Sequence, residues 1–538
     1  MPAENVVTWL AMRKWEALAC ASLAAAVVLL YRKVTRLWWT YDDAYLIHIA
    51  SVRRWTEYFA NGDVWRSMPQ HLFTPLLTVS YDSELSAFAL NARRWYAVQL
   101  VELALAAICV YFALRLWLAI APALTGALLF VAGVPLCSIV TELMLVHYLE
   151  SVALAAVATI LFVRSLRDRR VWLLFFSAAV YLAAMLAKEI AVPLPLLLVA
   201  LPDRDLRGRI RSLVPHALAL VAYAIWRYEM LHTLFGGYGW AVTSVTTLIA
   251  TLPWKVALAF GPAAAVMLAG IVWGLRSRRG MVLFLIGGLI AVAPIAPVSS
   301  HMERRFAVAA WLWWCAAFAF GAARLRLRLM HAVLCLSLVA VILNNRYEWK
   351  SVFGTSLRMS DEARVFFDAG SDALLRAPVV PPAAMGELRW LKEDYAHRAG
   401  GAGWFYDDIY LCEHGAASKR VLQYDDRTRS VADVTPRIAS ITANFCGRIR
   451  PDAPISADFH HRGETLFWKF GPYSDGTWRV VLGGGIQAFD VPAEEAFRLG
   501  DLPGISMRVR YTSPAGWTAY SPELALDFVH HPDFAWHR

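Results

Sequence analysis

Apolar residues along this chain come in long blocks separated by short polar links, with little short-range alternation before about residue 345. Crossing about 30 Å of hydrocarbon as a helix takes roughly 20 apolar residues, because each backbone group left unpaired in lipid costs several kcal/mol. Eleven stretches fit that pattern: Trp15 to Tyr31, Tyr96 to Ile120, Ala123 to Val140, Ser151 to Val163, Val171 to Ala187, Ile190 to Leu201, Val214 to His232, Val256 to Leu275, Met281 to Val298, Phe306 to Ala323 and Met330 to Asn344. The first leads straight into Arg32 and Lys33 without a small-residue cleavage site, which predicts a retained span and not a cleaved signal peptide. Residues 1–345 therefore predict a polytopic α-helical membrane domain.

The polar links set the orientation. RSLRDRR (164–170), DRDLRGRIRSL (203–213), RSRRG (276–280) and RLRLRL (324–329) hold fourteen arginines and fall on every second connection. The positive-inside rule puts them, and the N-terminus, in the cytoplasm. The alternate segments then face outward: a first loop from about Arg36 to Trp95, TELMLVHYLE (141–150), the Lys188–Glu189 pair, FGGYGW (235–240), HMERR (301–305) and residues 346–538. One segment dissents. YRKVTR (31–36) is basic on the side assigned as outer, where such residues snorkel to headgroups.

Composition agrees, with 58% hydrophobic and 17% charged residues against about 25% charged in an average soluble chain. The net charge of +10 is carried largely by the links between spans, so it serves as a topology signal and gives no reason to expect nucleic acid. Of the 52 basic residues 44 are arginine, an association with GC-rich bacterial genomes that places the chain in a bacterial cytoplasmic (inner) membrane. Seven cysteines without a CxxC pair exclude a zinc ribbon or a thioredoxin-like motif.

Beyond Asn345 the sequence turns polar and rich in Gly and Pro, which predicts a soluble extracytoplasmic domain over 346–538 with a hinge at Pro381–Pro382. LRWLKEDYAHR (388–398) reads as a short helix. TLFWKF (465–470), WRVVLGG (478–484) and ISMRVRY (505–511) read as strands beside SDG and SPAG turns, giving a β-rich α+β fold. Cys412 and Cys446 are the two cysteines outside the spans. An oxidising compartment favours their pairing, worth roughly 3 to 4 kcal/mol by loop entropy, against the alternative of two free thiols.

Carboxylates are costly near lipid, so their placement is informative. Asp42 and Asp43, Glu142 and Glu150, Glu189 and Glu303 all fall on the outward side. The segment 44–63 after the acidic pair spaces Tyr45, Ile49, Val52, Trp55 and Phe59 as one helix ending at Asn61–Gly62. It predicts an interfacial helix with Arg53, Arg54 and Glu57 toward water or headgroups. Two adjacent carboxylates at that position can divide labour, one accepting an acceptor's proton and the other orienting it or binding a divalent cation. Fixed positive charge for a lipid-borne phosphate is available at Lys188, Arg227, Arg304 and Arg305.

These residues resemble the GT-C superfamily of integral-membrane glycosyltransferases that use polyprenyl-phosphate sugars. DDAYLIHIA (42–50) resembles the DDAY/F-I motif after the first span of bacterial arabinofuranosyltransferase-like members. HYLESVALAAV (147–157) is similar to their G-L/M-E-S/T segment, with His147–Tyr148 where glycine is usual. LAKEIAVPLPLLL (186–198) resembles the K-E-x-x-x-x-x-P element of protein mannosyltransferase-like and aminoarabinose-transferase-like enzymes, and HMERRFAVAAW (301–311) a late arginine-aromatic element. The resemblance implies a hexosyl- or pentosyltransferase that inverts the sugar's anomeric carbon. Asp42 would be the general base, assisted by Asp43 and Glu150; Lys188, Arg304 and Arg305 would hold the donor phosphate, and His48 and Glu189 would orient the acceptor. His48 stands near the place where the family usually has arginine, so contacts there differ. The implied partners are a polyprenyl-phosphate sugar, a glycan, lipid or protein acceptor and membrane lipids. No cofactor is required, and a divalent cation is left open.

Two other classes remain. A transporter would place ionisable groups or broken helices near the midplane, whereas Glu102, the deepest acid, lies toward the outer end of its span. A non-catalytic anchor would bind glycans through aromatics such as Trp404, Tyr410 or Trp517, which are better suited to a core.

Overall fold

Hydropathy alone marks where helices must run, and the computed structural model shows how they are interrupted. It describes residues 3–40, 42–66, 72–201, 203, 206–234, 260, 303–368, 373–376, 404–406, 408–414, 420–425, 427–428, 430–462, 465–482, 487–498, 505–528 and 530–538. Numbered in chain order, the described helices are α1 (Ala3–Tyr31), α2 (Asp43–Val52), α3 (Glu57–Ala60), α4 (Gly62–Arg66), α5 (Pro75–Phe88), α6 (Ala92–Arg115), α7 (Ile120–Val131), α8 (Val134–Ile139), α9 (Val146–Asp168), α10 (Val171–Ala187), α11 (Leu194–Ala200), α12 (Leu206–Ser212), α13 (Val214–Leu231), α14 (Val308–Ala322), α15 (Leu327–Asp368), α16 (Asp408–His414) and α17 (Ile438–Cys446).

Among the described residues five helical segments are long and apolar enough to cross a membrane, Lys14–Arg36, Ala92–Arg115, Leu143–Asp168, Arg304–Ala322 and Leu327–Val365, with shorter apolar helices at Ile120–Val131, Val171–Ala187 and Glu189–Ala200. The chain is a multi-pass membrane protein. The expected spans Val256 to Leu275 and Met281 to Val298, the outer segment FGGYGW, the hinge at Pro381–Pro382 and the helix at 388–398 lie outside the described residues.

Four expected boundaries shift for local reasons. The stretch Ala123 to Val140 is broken into α7 and α8 at Gly133, where Pro135 opens the second helix. The indole of Trp311 fills the break, donating from Nε1 to the carbonyls of Leu129 at 3.1 Å and Phe130 at 3.3 Å. The fourth span is longer than Ser151 to Val163 and takes RSLRD into the same helix. Ile190 to Leu201 is a 3-10 turn at Glu189–Ala191 followed by the seven-residue α11, because Pro193 and Pro195 interrupt the ladder. Last, α15 does not stop at Asn344 but continues to Asp368, so position 345 lies inside one helix.

The helices pack as α6 on α1, α7 and α9, α9 on α10, α10 on α13, and α14 on α7. Polar contacts collect at the helix ends. At one end Arg115 pairs with Glu16 at 2.7 Å and Arg167 with Asp203 at 2.8 Å, tying α1, α6, α9 and the segment before α12 together. The acidic residues Asp43, Glu142 and Glu150 lie toward the opposite end.

The C-terminal region holds thirteen described strands. β1 (Ala373–Arg376), β2 (Trp404–Tyr406), β3 (Arg420–Asp425) and β4 (Ser430–Asp433) form a mixed sheet in the order β2-β1-β3-β4, flanked by α16 and α17. Cys412 and Cys446 join those two helices in a disulfide. β5 (Ser456–Arg462), β6 (Thr465–Gly471), β9 (Glu494–Arg498) and β13 (Asp533–His537) make one antiparallel sheet. β7 (Thr477–Leu482), β8 (Gln487–Val491), β10 (Ile505–Thr512), β11 (Thr518–Tyr520) and β12 (Leu524–Leu526) make the other. Phe459, Leu466 and Phe470 of the first sheet and Trp478, Val509 and Tyr511 of the second share one core, so the sheets form a sandwich. The three expected strands are β6, β7 and β10. Gly476 and Gly516 supply the left-handed backbone, φ 78° and 84°, of the SDG and SPAG turns.

A Cβ at Gly133 would fall 1.9 Å from Trp311 Nε1. Gly133→Ala is expected to displace the indole and destabilise the helix bundle by about 1–3 kcal/mol, read as a lower melting temperature in detergent.

Candidate functional site

The acidic pair does not lead into one surface helix. α2 ends where Arg53 turns extended, and its residues Asp43, Ala44, Leu46, Ile47, Ile49 and Ala50 are buried, because α2 packs on α5. The expected interfacial helix over 44–63 is thus a buried ten-residue helix followed by two short ones, with Arg53 and Arg54 exposed after the break.

Asp43 is 0% exposed and its carboxylate is enclosed by donors from three segments. Oδ1 accepts from Tyr81 Oη at 2.7 Å and Met144 N at 3.0 Å, and Oδ2 accepts from Thr40 N at 2.8 Å. Burial pushes its carboxyl up to about 7 against those three donors. Asp42, one residue earlier, is the N-terminal flanking residue of α2 and is only partly buried. Of the pair, Asp42 therefore has the access that a proton acceptor needs, while Asp43 holds the fold.

Next along the site is Glu142. Gln99 Nε2 fixes its backbone by donating to the carbonyls of Ile139 at 2.8 Å and Glu142 at 2.9 Å. Its side chain pairs with Arg305 at 2.9 Å, and Arg305 also meets Glu303 at 2.8 Å. Burial lifts Glu142 to about 7, with the Arg305 guanidinium pulling it down. Asp42 and Asp43 are within electrostatic reach of Glu142. Arg305 in turn is within reach of Lys188 and His147.

Lys188 sits where α10 ends and the chain turns extended. It is 5% exposed, pairs with Glu189 at 3.2 Å and lies over the Tyr148 ring at 5.3 Å. Ser151 Oγ donates to its carbonyl at 3.2 Å. Arg227, 4% exposed, is within electrostatic reach of Lys188 and Glu189 and donates to Tyr223 Oη at 3.2 Å. Lys188 and Arg227, both buried, and the partly buried Arg305 thus form one cationic group with Glu189 and His147 among them. Arg304 points elsewhere, pairing with Glu348 of α15.

Glu150 accepts from Ser80 Oγ and leaves Oε2 buried without a partner. Glu84 and Glu102 are within electrostatic reach of it. Burial first, and then Glu150 and Asp43, push Glu84 up to about 8. His48 is on α2, partly buried, and its carbonyl accepts from Ser51 Oγ at 2.7 Å. Among the described residues no group of three or more His, Cys, Asp or Glu is arranged to hold a metal ion.

An apolar groove of about 480 Å³ runs from this cluster along α6, α9, α11 and α14. Ser151, Ile190 and Ala191 line it beside Lys188, and Trp117 and Arg324 line its far end. Sequence reasoning missed Ser80, Tyr81 and Glu84. Their signal was a polar run, YDSE (81–84), inside the first loop, but nothing local says that Tyr81 meets Asp43.

No family model matches the chain, and no curated protein matches it. Solved structures similar to it include two of one protein and one of another. ArnT from Cupriavidus metallidurans bound to undecaprenyl phosphate is 15% identical over 74% of this chain and 79% of that one, with a TM-score of 0.37. The same protein in the apo state is 17% identical over 71% and 76%, with a TM-score of 0.38. The arabinofuranosyltransferase AftD from mycobacteria is 15% identical over 91% of this chain and 40% of that one, with a TM-score of 0.39, so this chain spans less than half of AftD.

The two aspartates are expected to differ on substitution. Asp43→Asn sets an amide against donors that a carboxylate satisfied, at a cost of about 1–3 kcal/mol, and should lower the melting temperature. Asp42→Asn should leave it near wild type. A second outcome concerns pH. Asp43, Glu142 and Glu84 have folded-state pKa values raised to about 7, 7 and 8, so between pH 4 and 8 these three groups bind more protons in the folded chain than in the unfolded one. The stability they contribute below about pH 4 is then lost as pH rises to 8. Chemical denaturation across that range should show wild type losing stability relative to Glu84→Gln.

Proposed function

We propose that this protein is a membrane glycosyltransferase that moves a sugar from a polyprenyl-phosphate donor to an acceptor hydroxyl at the outer face of the cytoplasmic membrane. One observation carries the reading: Lys188 and Arg227, both buried, and the partly buried Arg305 form a cationic group next to the residues Ser151 and Ile190 that line an apolar groove, one ion pair away from the Asp42–Asp43 carboxylates. A polyprenyl chain fits the groove, its phosphate meets the cations, and the sugar then lies toward Asp42. The motif resemblance supports the same assignment.

In this reading Asp42 accepts the proton of the acceptor hydroxyl as that oxygen bonds to the anomeric carbon from the face opposite the phosphate. The bond from the anomeric carbon to the phosphate oxygen breaks, and its electron pair leaves with the lipid phosphate. The sugar is inverted. Lys188, Arg227 and Arg305 stabilise the charge that builds on the departing phosphate, which matters most in a site poor in water. Arg305 is already shared by Glu142 and Glu303, so it keeps its position without substrate. Asp43 positions Asp42, Glu150 and His48 flank the acceptor, and Glu189 keeps Lys188 charged and in place. Arg304, paired with Glu348, acts in this scheme by anchoring α15 beside the site.

The Cys412–Cys446 disulfide supports an extracytoplasmic C-terminal region, since disulfides persist in oxidising compartments. In this reading the sandwich lies on the side where the acceptor arrives.

Purified wild type incubated with a panel of polyprenyl-phosphate sugars and acceptors is expected to release lipid phosphate. Asp42→Asn should slow release by roughly 10²–10⁴-fold with folding intact. Release by Asp42→Asn at the wild-type rate would remove Asp42 as the base, and no release from any donor by folded wild type would sink the reading.

A further inference from the structure

The basic segment Arg32–Arg36 has no part in the site above and carries the wrong sign for an outward link, yet it has a defined place in the fold. It is a 3-10 turn that continues directly from α1. Tyr31, at the end of α1, packs its ring 5.2 Å from Trp349 of α15 and accepts from Asn345 Nδ2 at 2.8 Å. The end of α1 and the middle of α15 are therefore at one height, just past the apolar length of the first span. At that height lies a pocket of about 490 Å³ lined by Lys33 and Arg36 from the turn, Trp349, Lys350 and Arg358 from α15, and Tyr424 from β3. Lys33, Arg36 and Lys350 are exposed and Arg358 is partly buried. No acidic residue lines the pocket among the described residues.

Three exposed cations, Lys33, Arg36 and Lys350, converge from two helical segments beside Arg358, with an aromatic wall and no acidic residue among the described lining. Phospholipid headgroups lie at the height of a span's end, and indole rings favour that layer. We propose that this pocket binds the anionic phosphate headgroup of a membrane phospholipid, wedged between α1, α15 and the first sheet of the C-terminal region. The pocket shares no residue with the catalytic cluster, so the proposal stands apart from the transferase reading. It accounts for the basic 31–36 segment, which serves as half of an anion site, and it gives the C-terminal region a lipid-linked contact with the bundle through Tyr424. A free phosphate offers the same chemistry, so the test separates the two sources.

Full-length protein in neutral detergent is titrated with eight-carbon phosphatidylglycerol and followed by native mass spectrometry, beside the triple variant Lys33→Gln, Arg36→Gln, Lys350→Gln. One saturable phosphatidylglycerol should bind to wild type and weaken on the order of a hundredfold in the triple variant, with each cation near a lipid surface contributing about fivefold. A control replacing Arg437, Arg462 and Lys469 by Gln should bind as wild type does. If the triple variant melts early, Lys350→Gln alone should still weaken binding about fivefold. Equal affinity in wild type and in a folded variant would overturn the proposal. Displacement of the lipid by millimolar inorganic phosphate would overturn its lipid source and make the pocket a site for a soluble phosphate.

Discussion

A carboxylate removed from water must be given donors, and the burial of Asp43 is the constraint on which this site depends. Its partners are the backbone of Thr40, the hydroxyl of Tyr81 on α5 and the backbone of Met144 just before α9. Each comes from a different segment, so one buried ion fastens the start of the first loop, the helix later in that loop and the second outward connection together. Asp42 inherits its position from that arrangement. It cannot sink into the core with its neighbour, because consecutive residues at a helix start point in different directions, and so it stays partly accessible beside the cations.

From Asp42 the charges run in a short series. The aspartates face Glu142, Glu142 is joined to Arg305, and Arg305 lies near Lys188, which pairs with Glu189. Two opposite-sign contacts, Glu142 with Arg305 and Lys188 with Glu189, let like charges share one low-dielectric region where an isolated ion would be costly. The arrangement also leaves an uneven field. Toward α5 the carboxyls of Glu84, Glu102 and Glu150 crowd together, and toward α13 Lys188 and Arg227 dominate.

The membrane helices bend around this cluster at specific residues. Gly133 and Pro135 break one span, and the Trp311 indole donates to carbonyls near the break. Pro193 and Pro195 shorten the stretch after Lys188, which leaves its backbone free to take the extended turn that aims the lysine inward. α15 does the reverse. It outruns its apolar stretch by some six turns of helix, so a single rod carries the bundle into the C-terminal sheets and sets the wall of the basic pocket.

The sequence by itself determined the elements whose cause is local. Apolar length specified some helices within a residue or two, as at Val171–Ala187 and Val214–Leu231, because lipid admits little other than a closed helix. β-branched and aromatic runs beside SDG and SPAG specified β6, β7 and β10. The same local chemistry singled out the Asp42–Asp43 pair, Lys188 and Arg305 as residues whose type is costly where they stand. Only the tertiary structure decided which of those costs is met by which partner. Asp43 is buried and Asp42 is not because Tyr81 and Met144, 38 and 101 residues away, supply the donors. Arg304 and Arg305 are neighbours in sequence, yet they part because Glu348 and Glu142 lie on opposite sides of their short turn. The helix expected on the leaflet surface is buried because α5 returns to cover it. Hydropathy reports the solvent a segment meets, whereas the pairing of charges is set by distances between segments, and those exist only once the chain has folded.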